Sequence, residues 1–277
     1  MKCPTCDAWM SGSRCAFCEA PMLTSTVATM LGAKFYGSDK SIIGFTAASK
    51  ARPINLTFCS DPTNLKNTRS EIIITGIGAH HIAQPGQTVI EVENPKAAFA
   101  RVLRSKAPLS GPRIHPSAII DTRYVKMGTN VTVKPYAVIG YDGFGFEPDG
   151  LGYEIFPHIA GVVIGDNVSI GSFTVVDRGK LDDTVIGAGT KLDNHVHIAH
   201  AAKLGKNCLV VAQSIIGGST VIGDRVYISM GAVIRDHITI GEGAFIGMGA
   251  VVTKDVEPGV TVIGNPARPY QRRTNNG

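Results

Sequence analysis

Histidines cluster in the second half of the chain, with a spacing suited to chemistry on an amine. His200 is followed 18 residues later by Gly218 and 36 residues later by Asp236, which adjoins His237. A neutral imidazole, with an ordinary pKa of about 6.5, can take the proton of an attacking amine. A glycine N–H can approach an oxyanion closely. If residues 18 apart stack, this spacing predicts an acyl-transfer site along one edge of the fold.

A six-residue repeat provides that stacking. Aliphatic residues recur at every sixth position from Ile186 to Val252, and shorter runs with the same period occur upstream. This period is typical of a parallel β-helix, in which each unit is one short strand and a turn. Three units close an 18-residue coil, and successive coils stack about 4.8 Å apart. We therefore predict that His200 and His237 lie two coils apart on the same edge.

The repeat is interrupted twice, and interruptions of a repeat often carry function. The longer one lies between Ile139 and Ile164, and the shorter one covers 177–184. Phe144 and Phe146 in the longer interruption are candidates to line an apolar channel for an acyl chain. The alternative is that they cap the open end of a coil.

Four cysteines near the start predict a metal site. Cys3 and Cys6 form one C-x2-C pair, and Cys15 and Cys18 form another. Two such pairs at this distance are the ligand pattern of a tetrahedral, closed structural zinc site. A redox disulfide pair or an iron site is the alternative. Cys59 and Cys208 are isolated, and each is interpreted as a small buried side chain.

The patterns divide the chain into four parts. Residues 1–22 form the predicted zinc knuckle, and 23–108 a small α/β domain with strands in 71–77 and 88–92 and a helix opening at Asn94-Pro95. Residues 109–265 form the β-helix, and 266–277 a short tail. The expected fold class is mainly β.

The amino-acid composition agrees with a repetitive β architecture. Apolar residues make up 44% of the 277 residues, aromatics only 6%, and the formal net charge is +5. The basic residues are scattered, so we expect no nucleic-acid partner, although an anionic nucleotide or carrier protein would suit a mildly cationic surface. No apolar run reaches the ~18 residues of a membrane span, and no signal-peptide core is seen. We therefore expect a cytoplasmic protein without a redox cofactor.

Several stretches resemble the UDP-3-O-(3-hydroxyacyl)glucosamine N-acyltransferases of lipid A biosynthesis. The resemblance runs from about residue 28 to residue 270. The motifs DGFGF, DRG and DN-x-V-x-IAH are specific to it, whereas the hexapeptides are shared with many acetyltransferases. The matching stretches are 142–146, 164–168, 177–179, 181–184, 192–200, 218–220 and 264–270.

The resemblance implies a left-handed, homotrimeric β-helix and a role for individual residues. His200 matches the family's general base, His237 a second active-site histidine, and Gly218 the backbone donor to the oxyanion. Asp193 and Asn194 match substrate-binding positions. The implied substrates are a UDP-glucosamine-type amino sugar and an acyl thioester carried by acyl carrier protein.

The family's uracil-binding run, Phe-x2-Asn-x2-Tyr, is only partly present. Phe58 is retained, Asp61 replaces the asparagine, and Asn64 replaces the tyrosine. An ionised Asp accepts hydrogen bonds but donates none, so contacts to the base must differ.

Three alternatives remain open. The ending GVTVIGNPARP is equally typical of acetyl-coenzyme A-dependent sugar N-acetyltransferases, so a short acyl group on coenzyme A is a second possible donor. His195 and His200, with a histidine from a neighbouring strand, resemble zinc ligands of the γ-class carbonic anhydrases. A trimeric scaffold with a zinc docking module is the non-enzyme alternative.

Overall fold

The computed structural model describes residues 22–106 and 113–270. The predicted zinc knuckle, except for Met22, and residues 271–277 of the predicted tail lie outside the described residues. The chain divides into two compact units, with the boundary after Ser110. No helix among the described residues is long and apolar enough to cross a membrane.

Unit 1 is an α/β domain. Its helices are α1 (Thr24–Leu31) and α2 (Pro95–Lys106). Three short 3-10 helices cover Ala48–Lys50, Pro62–Asn67 and Ala79–Ile82. Its strands are β1 (Met22–Leu23), β2 (Lys34–Tyr36), β3 (Ser41–Ile42), β4 (Gly44–Phe45), β5 (Asn55–Cys59), β6 (Ile72–Thr75) and β7 (Thr88–Glu91).

Five of these strands form one sheet in the order β2-β7-β6-β5-β4, in which β4 to β7 run parallel and β2 runs antiparallel. Because side chains alternate across a strand, Ile72 and Ile74 face a core shared with α1 and α2. Ile73 faces the opposite side, where it clusters with Leu65 of a 3-10 helix. Both helices therefore pack on the same face of the sheet.

The start of α2 follows from its local sequence. Asn94 Oδ1 accepts a hydrogen bond from Ala97 N at 3.0 Å, which satisfies one of the free N–H groups of the first turn. Pro95 opens the helix, where its missing N–H costs nothing. The helix then buries Phe99 and Val102 against the sheet.

Unit 2 is built from three parallel sheets that the chain visits in turn, which we call faces 1, 2 and 3. Face 1 contains Thr132–Val133, Ser169–Ile170, Lys191–Leu192, Leu209–Val210, Tyr227–Ile228, Phe245–Ile246 and Thr261–Ile263, with Arg268–Pro269 antiparallel at its end. Face 2 contains Ile119–Ile120, Val138–Ile139, Val175–Val176, His197–Ile198, Ile215–Ile216, Val233–Ile234 and Val251–Val252. Face 3 contains Val125–Met127, Val162–Ile164, Thr184–Ile186, Lys203–Leu204, Val221–Ile222 and Thr239–Ile240.

The predicted 18-residue register is confirmed. Ile198 pairs with Ile216, which pairs with Ile234 on the next coil. These aliphatic residues point inward and form one continuous core along unit 2. Full burial of each such side chain contributes about 1.5–3 kcal/mol. The stacked core therefore holds successive coils in register.

The two interruptions lengthen individual coils without breaking the sheets. Ile139 pairs with Val176, 37 positions later, and Val176 with Ile198, 22 positions later. The residues of the two interruptions form loops that we call the longer and the shorter excursion. The longer excursion contains an antiparallel hairpin of Phe146–Pro148 and Tyr153–Ile155. Both excursions leave from the end of face 2, next to the turn that holds His200.

Candidate active site

The turn between faces 2 and 3 stacks the predicted catalytic positions. Ser219 N donates to His200 O at 2.9 Å, and His237 N donates to Gly218 O at 3.0 Å. His200, Gly218 and Asp236 therefore occupy the same position on three successive coils. We call this row of turns the catalytic edge.

The imidazole of His200 lies directly against Gly218. A Cβ atom at position 218 would lie 2.6 Å from His200 Cε1 and 3.0 Å from its Nε2. Any side chain there would therefore force the ring away. Within the described part of the chain, the Gly218 N–H donates to no group, and Gly218 itself is buried against the His200 ring.

The two nitrogens of His200 are in different environments. Nδ1 is buried without a hydrogen-bond partner, whereas Nε2 is not among the buried, unpartnered atoms. Burial lowers the pKa of His200, and the nearby Lys180 lowers it further. The ring is therefore a neutral imidazole near neutral pH, as a general base must be.

A second buried imidazole, His158, contacts His200. The ring centroids are 5.4 Å apart at an interplanar angle of 71°, and His158 is only 3% exposed. Burial also lowers the pKa of His158. No role for His158 was predicted from the sequence. Because it lies outside the repeat, the period gave no signal for this contact.

The two excursions hold each other in place beside His200. Arg178 donates through Nε to Asp142 Oδ1, and its guanidinium carbon lies 3.8 Å from the centre of the Tyr124 ring. A Cβ atom on Gly143 would lie 2.7 Å from Asp177 Oδ2. The glycines of the DGFGF stretch therefore allow the longer excursion to pack closely on the DRG turn.

Asp177 is a buried carboxyl at this contact. Its Oδ2 lies 3.6 Å from His197 Nε2. Burial raises the pKa of Asp177, and His197 opposes that effect. Asp177 is thus paired with His197 of the same face rather than with His200.

His237 lies on the catalytic edge beyond Gly218 and is exposed. Its side chain is 71% exposed, with Nε2 3.9 Å from Asp236 Oδ2. Its backbone has φ of 56°, a left-handed conformation that is uncommon outside glycine. The side chain is therefore accessible to a bound molecule.

The remaining β-helix candidates lie elsewhere on the unit. Phe144 is 82% exposed, and its ring packs on that of Phe146 at 5.1 Å, so Phe144 does not cover the core of a coil. Asp193 and Asn194 lie at the turn between faces 1 and 2, where Asn194 Oδ1 accepts from Ser172 N at 2.8 Å. In one chain they are on a different edge from His200.

In unit 1, the nucleotide-binding candidates have local structural partners. The Phe58 ring packs on Phe99 of α2 at 5.1 Å. Asp61 caps the 3-10 helix at Pro62–Asn67 and accepts from Thr63 N at 3.0 Å. Asn64 accepts from Asn67 Nδ2 at 2.9 Å. Phe58 thus lies on the α2 side of the sheet, while Asp61 begins the segment that packs on the other side.

The metal candidates at Cys3, Cys6, Cys15 and Cys18 lie outside the described residues. Cys59 and Cys208 are free and buried. Within 22–106 and 113–270, no group of three or more His, Cys, Asp or Glu side chains is arranged to hold a metal ion. His195 stacks instead on Phe173 at 5.0 Å.

The chain matches family models of hexapeptide repeats. Two stretches, 183–218 and 219–254, match the bacterial transferase hexapeptide (six repeats) family model. Residues 202–235 also match the model for the hexapeptide repeat of succinyl-transferase. The repeats around His200 and Gly218 are therefore hexapeptide-transferase repeats.

Among curated proteins, the chain is similar to enzymes named UDP-3-O-acylglucosamine N-acyltransferase. It is 44% identical over 149 residues to one from Caulobacter sp. (strain K31), covering 54% of this chain and 44% of the relative. It is 44% identical over 148 residues to UDP-3-O-acylglucosamine N-acyltransferase 2 of Legionella pneumophila (strain Paris), covering 53% of this chain and 43% of that relative. The aligned part of this chain is thus less than half the length of the curated relatives it matches.

Among solved structures, the fold is similar to that of UDP-N-acetylglucosamine acyltransferases. The structure from Bacteroides fragilis 9343 has a TM-score of 0.51 and 26% identity, covering 57% of this chain and 59% of that one. A second UDP-N-acetylglucosamine acyltransferase structure has a TM-score of 0.51 and 27% identity, covering 56% of this chain and 58% of that one. The three parallel sheets and the hexapeptide repeats are consistent with a left-handed β-helix.

Proposed function

We propose that this chain is an N-acyltransferase that transfers an acyl group from a thioester, carried by acyl carrier protein, to the amine of a UDP-glucosamine-type sugar. The observation that carries the proposal is the imidazole of His200, whose pKa is lowered by burial, lying against Gly218 of the next coil. The N-acyltransferase relatives support the same reaction class.

The chemistry follows from these two residues. His200 Nε2 takes a proton from the sugar amine as the nitrogen attacks the thioester carbonyl, and a C–N bond forms. The carbonyl oxygen becomes an oxyanion that accepts a hydrogen bond from the Gly218 N–H. Collapse of this intermediate breaks the C–S bond, and the leaving thiolate takes the proton from the His200 imidazolium. His237, exposed on the same edge, helps to position the substrate.

Residues outside the catalytic edge contribute to substrate binding. Asp193 and Asn194 contribute to sugar binding, and Phe58, Asp61 and Asn64 of unit 1 contribute to nucleotide binding. Phe144 and Phe146 provide apolar surface for the acyl chain. Because Asp193 and His200 occupy different edges of one chain, we propose a homotrimer in which neighbouring copies complete each site.

A structural zinc ion is a further part of the proposal. Cys3, Cys6, Cys15 and Cys18 supply four thiolates, which satisfy a tetrahedral Zn²⁺ and leave no open position for catalysis. The metal would therefore contribute to folding of this segment and not to acyl transfer.

The decisive experiment is product identification by mass spectrometry. The purified chain is incubated with UDP-3-O-acylglucosamine and a 3-hydroxyacyl carrier protein, and in parallel with acetyl-coenzyme A and UDP-amino sugars. We expect an amide product with the carrier-borne acyl group. An acetylated product alone would favour the coenzyme A alternative, and no product in either arm would favour the scaffold.

His200→Ala and His115→Asn provide matched variants. His115 lies on the first coil, where its Nδ1 is 2.9 Å from Ser117 Oγ, far along the helix from the catalytic edge. Loss of product with His200→Ala and its retention with His115→Asn would support the proposal. Equal activity of His200→Ala and the parent would overturn it.

A further inference from the structure

Unpartnered buried polar atoms are concentrated around His200. Of the buried side-chain nitrogen and oxygen atoms in 22–106 and 113–270, four have no hydrogen-bond partner, and three of these belong to His158, Arg178 and His200. Burying such an atom without a partner is energetically costly. Native structures rarely leave these atoms unpaired without a reason, so this grouping points to a functional arrangement.

His200 lacks the carboxylate that often orients a histidine base. No acidic side chain in the described parts of the chain forms an ion pair or hydrogen bond with it, because the nearby Asp177 faces His197 and Asp142 pairs with Arg178. The tautomer of an imidazole is set by the hydrogen bond that its other nitrogen makes. Another group must therefore determine which nitrogen of His200 carries the proton.

His158 has the burial and the free lone pair needed for this role. Its Nε2 is buried without a hydrogen-bond partner. In the tautomer that carries the proton on Nδ1, this Nε2 has a free lone pair. At 3% exposure, His158 is too buried to reach a sugar amine itself.

The surroundings of His158 keep it neutral and in place. Burial is the largest influence on its pKa, and Lys180 and Arg178 add to the lowering, whereas Asp142 opposes it. A Cβ atom on Gly145 would lie 2.9 Å from His158 Cε1. The second glycine of the DGFGF stretch therefore provides the space that the ring occupies.

We propose that His158 is a positioning residue whose Nε2 accepts the Nδ1–H of His200 through one bridging water. This contact selects the tautomer in which His200 Nε2 has the free lone pair on the exposed side of the ring. The inference rests on the proposed acyl transfer for its catalytic consequence. The tautomer itself is a property of the free protein.

The test compares His158→Gln, whose amide oxygen can still accept a hydrogen bond, with His158→Phe, which keeps a ring but has no acceptor. Nitrogen NMR of the ¹⁵N-histidine-labelled full chain reports the His200 tautomer without any substrate. We expect the Nδ1–H form in the parent and in His158→Gln, and a shift toward the Nε2–H form in His158→Phe. An unchanged tautomer in His158→Phe would overturn the proposal.

Kinetics provide the second readout. We expect His158→Phe to lower kcat by about 10- to 100-fold, the scale found for groups that orient metal-binding histidines, with little change in KM. His158→Gln should recover most of that loss, whereas an equal loss in both variants would contradict a role through the lone pair. If the parent transfers no acyl group, the proposed function fails while the tautomer measurement still decides the role of His158.

Gly145→Ala covers the case in which His158→Phe does not fold. The added Cβ displaces the His158 ring but leaves the imidazole in the chain. The same tautomer shift is expected, and its absence in a folded Gly145→Ala protein would count against the proposal.

Discussion

The imidazole of His200 and the α-carbon of Gly218 are packed so closely that a Cβ atom at position 218 would lie 2.6 Å from His200 Cε1. Glycine at this position has two consequences. It leaves space for the ring, and it leaves an N–H group near the ring that no described residue uses. The base and the oxyanion donor of the proposed mechanism are therefore neighbours on successive coils.

Gly218→Ala tests this relationship. The methyl group should displace the His200 ring, so we expect kcat to fall by about 10²–10³-fold, the scale of losing an oxyanion donor or a base contact. Steady-state kinetics with the carrier-borne donor measure the effect. Gly152→Ala is the control, because a Cβ there meets nothing within 4 Å. Equal activity of the two variants would contradict the geometry.

The pH dependence of kcat/KM should reflect the lowered pKa of His200. Burial, Lys180, His158 and His237 all favour the neutral form. Because the base acts unprotonated, kcat/KM should fall on the acid side of its pH profile, and this acid limb should lie below the ordinary histidine pKa of about 6.5. Lys180→Gln should move that limb toward higher pH, since removing the cation makes protonation easier, whereas Lys180→Arg should leave it in place. A limb that moves equally in both variants would rule out the charge as the cause.

The contact of Arg178 with Tyr124 and Asp142 should stabilise the longer excursion. Arg178→Lys removes the planar guanidinium that lies 3.8 Å from the ring centre, and lysine does not replace that geometry. We expect a loss of about 1–3 kcal/mol in the free energy of unfolding and faster proteolysis within 146–155. Arg123→Lys is the control, because Arg123 is exposed and lies 5.4 Å from the same ring. Proteolysis at the parent rate in Arg178→Lys would show that the contact does not hold the excursion.

The stability of the β-helix should depend on its inward residues. Leu204 is 3% exposed, and Leu204→Ala should lower the free energy of unfolding by about 2–5 kcal/mol through lost burial and a residual cavity. The adjacent Lys203 is exposed, and Lys203→Ala should change the free energy of unfolding by less than about 0.5 kcal/mol. Chemical denaturation measures both. Similar losses at the two positions would contradict the inward and outward alternation.

The cysteine proposal predicts one zinc ion per chain. Cys3→Ser combined with Cys6→Ser removes half of the thiolates, so elemental analysis should find little bound zinc. Cys59→Ala should retain the zinc of the parent, because Cys59 is a buried, free cysteine in unit 1. A double variant that carries as much zinc as the parent would show that these cysteines do not bind it.

The sequence by itself determined the β-helix register and the catalytic edge. Each hexapeptide repeats the same inward aliphatic position, so the period was readable without any tertiary information, and Gly218 could be assigned to the position stacked on His200. The strands and the helix of unit 1 were also predictable, because the buried run at 71–77 and Asn94-Pro95 are local signals.

Only the tertiary structure decided what the non-repeating segments contact. The longer excursion has no period, so its sequence carried no register for His158, and the contact of that ring with His200 depends on how the loop folds back over the DRG turn. The steric need for glycine at 143 and 145 likewise follows from Asp177 and His158, which lie distant in sequence. In unit 1, Asp61 is a helix cap and Phe58 packs on Phe99, local roles that a motif comparison does not reveal. Repetition makes register a local property, whereas contacts between unique loops depend on the whole fold.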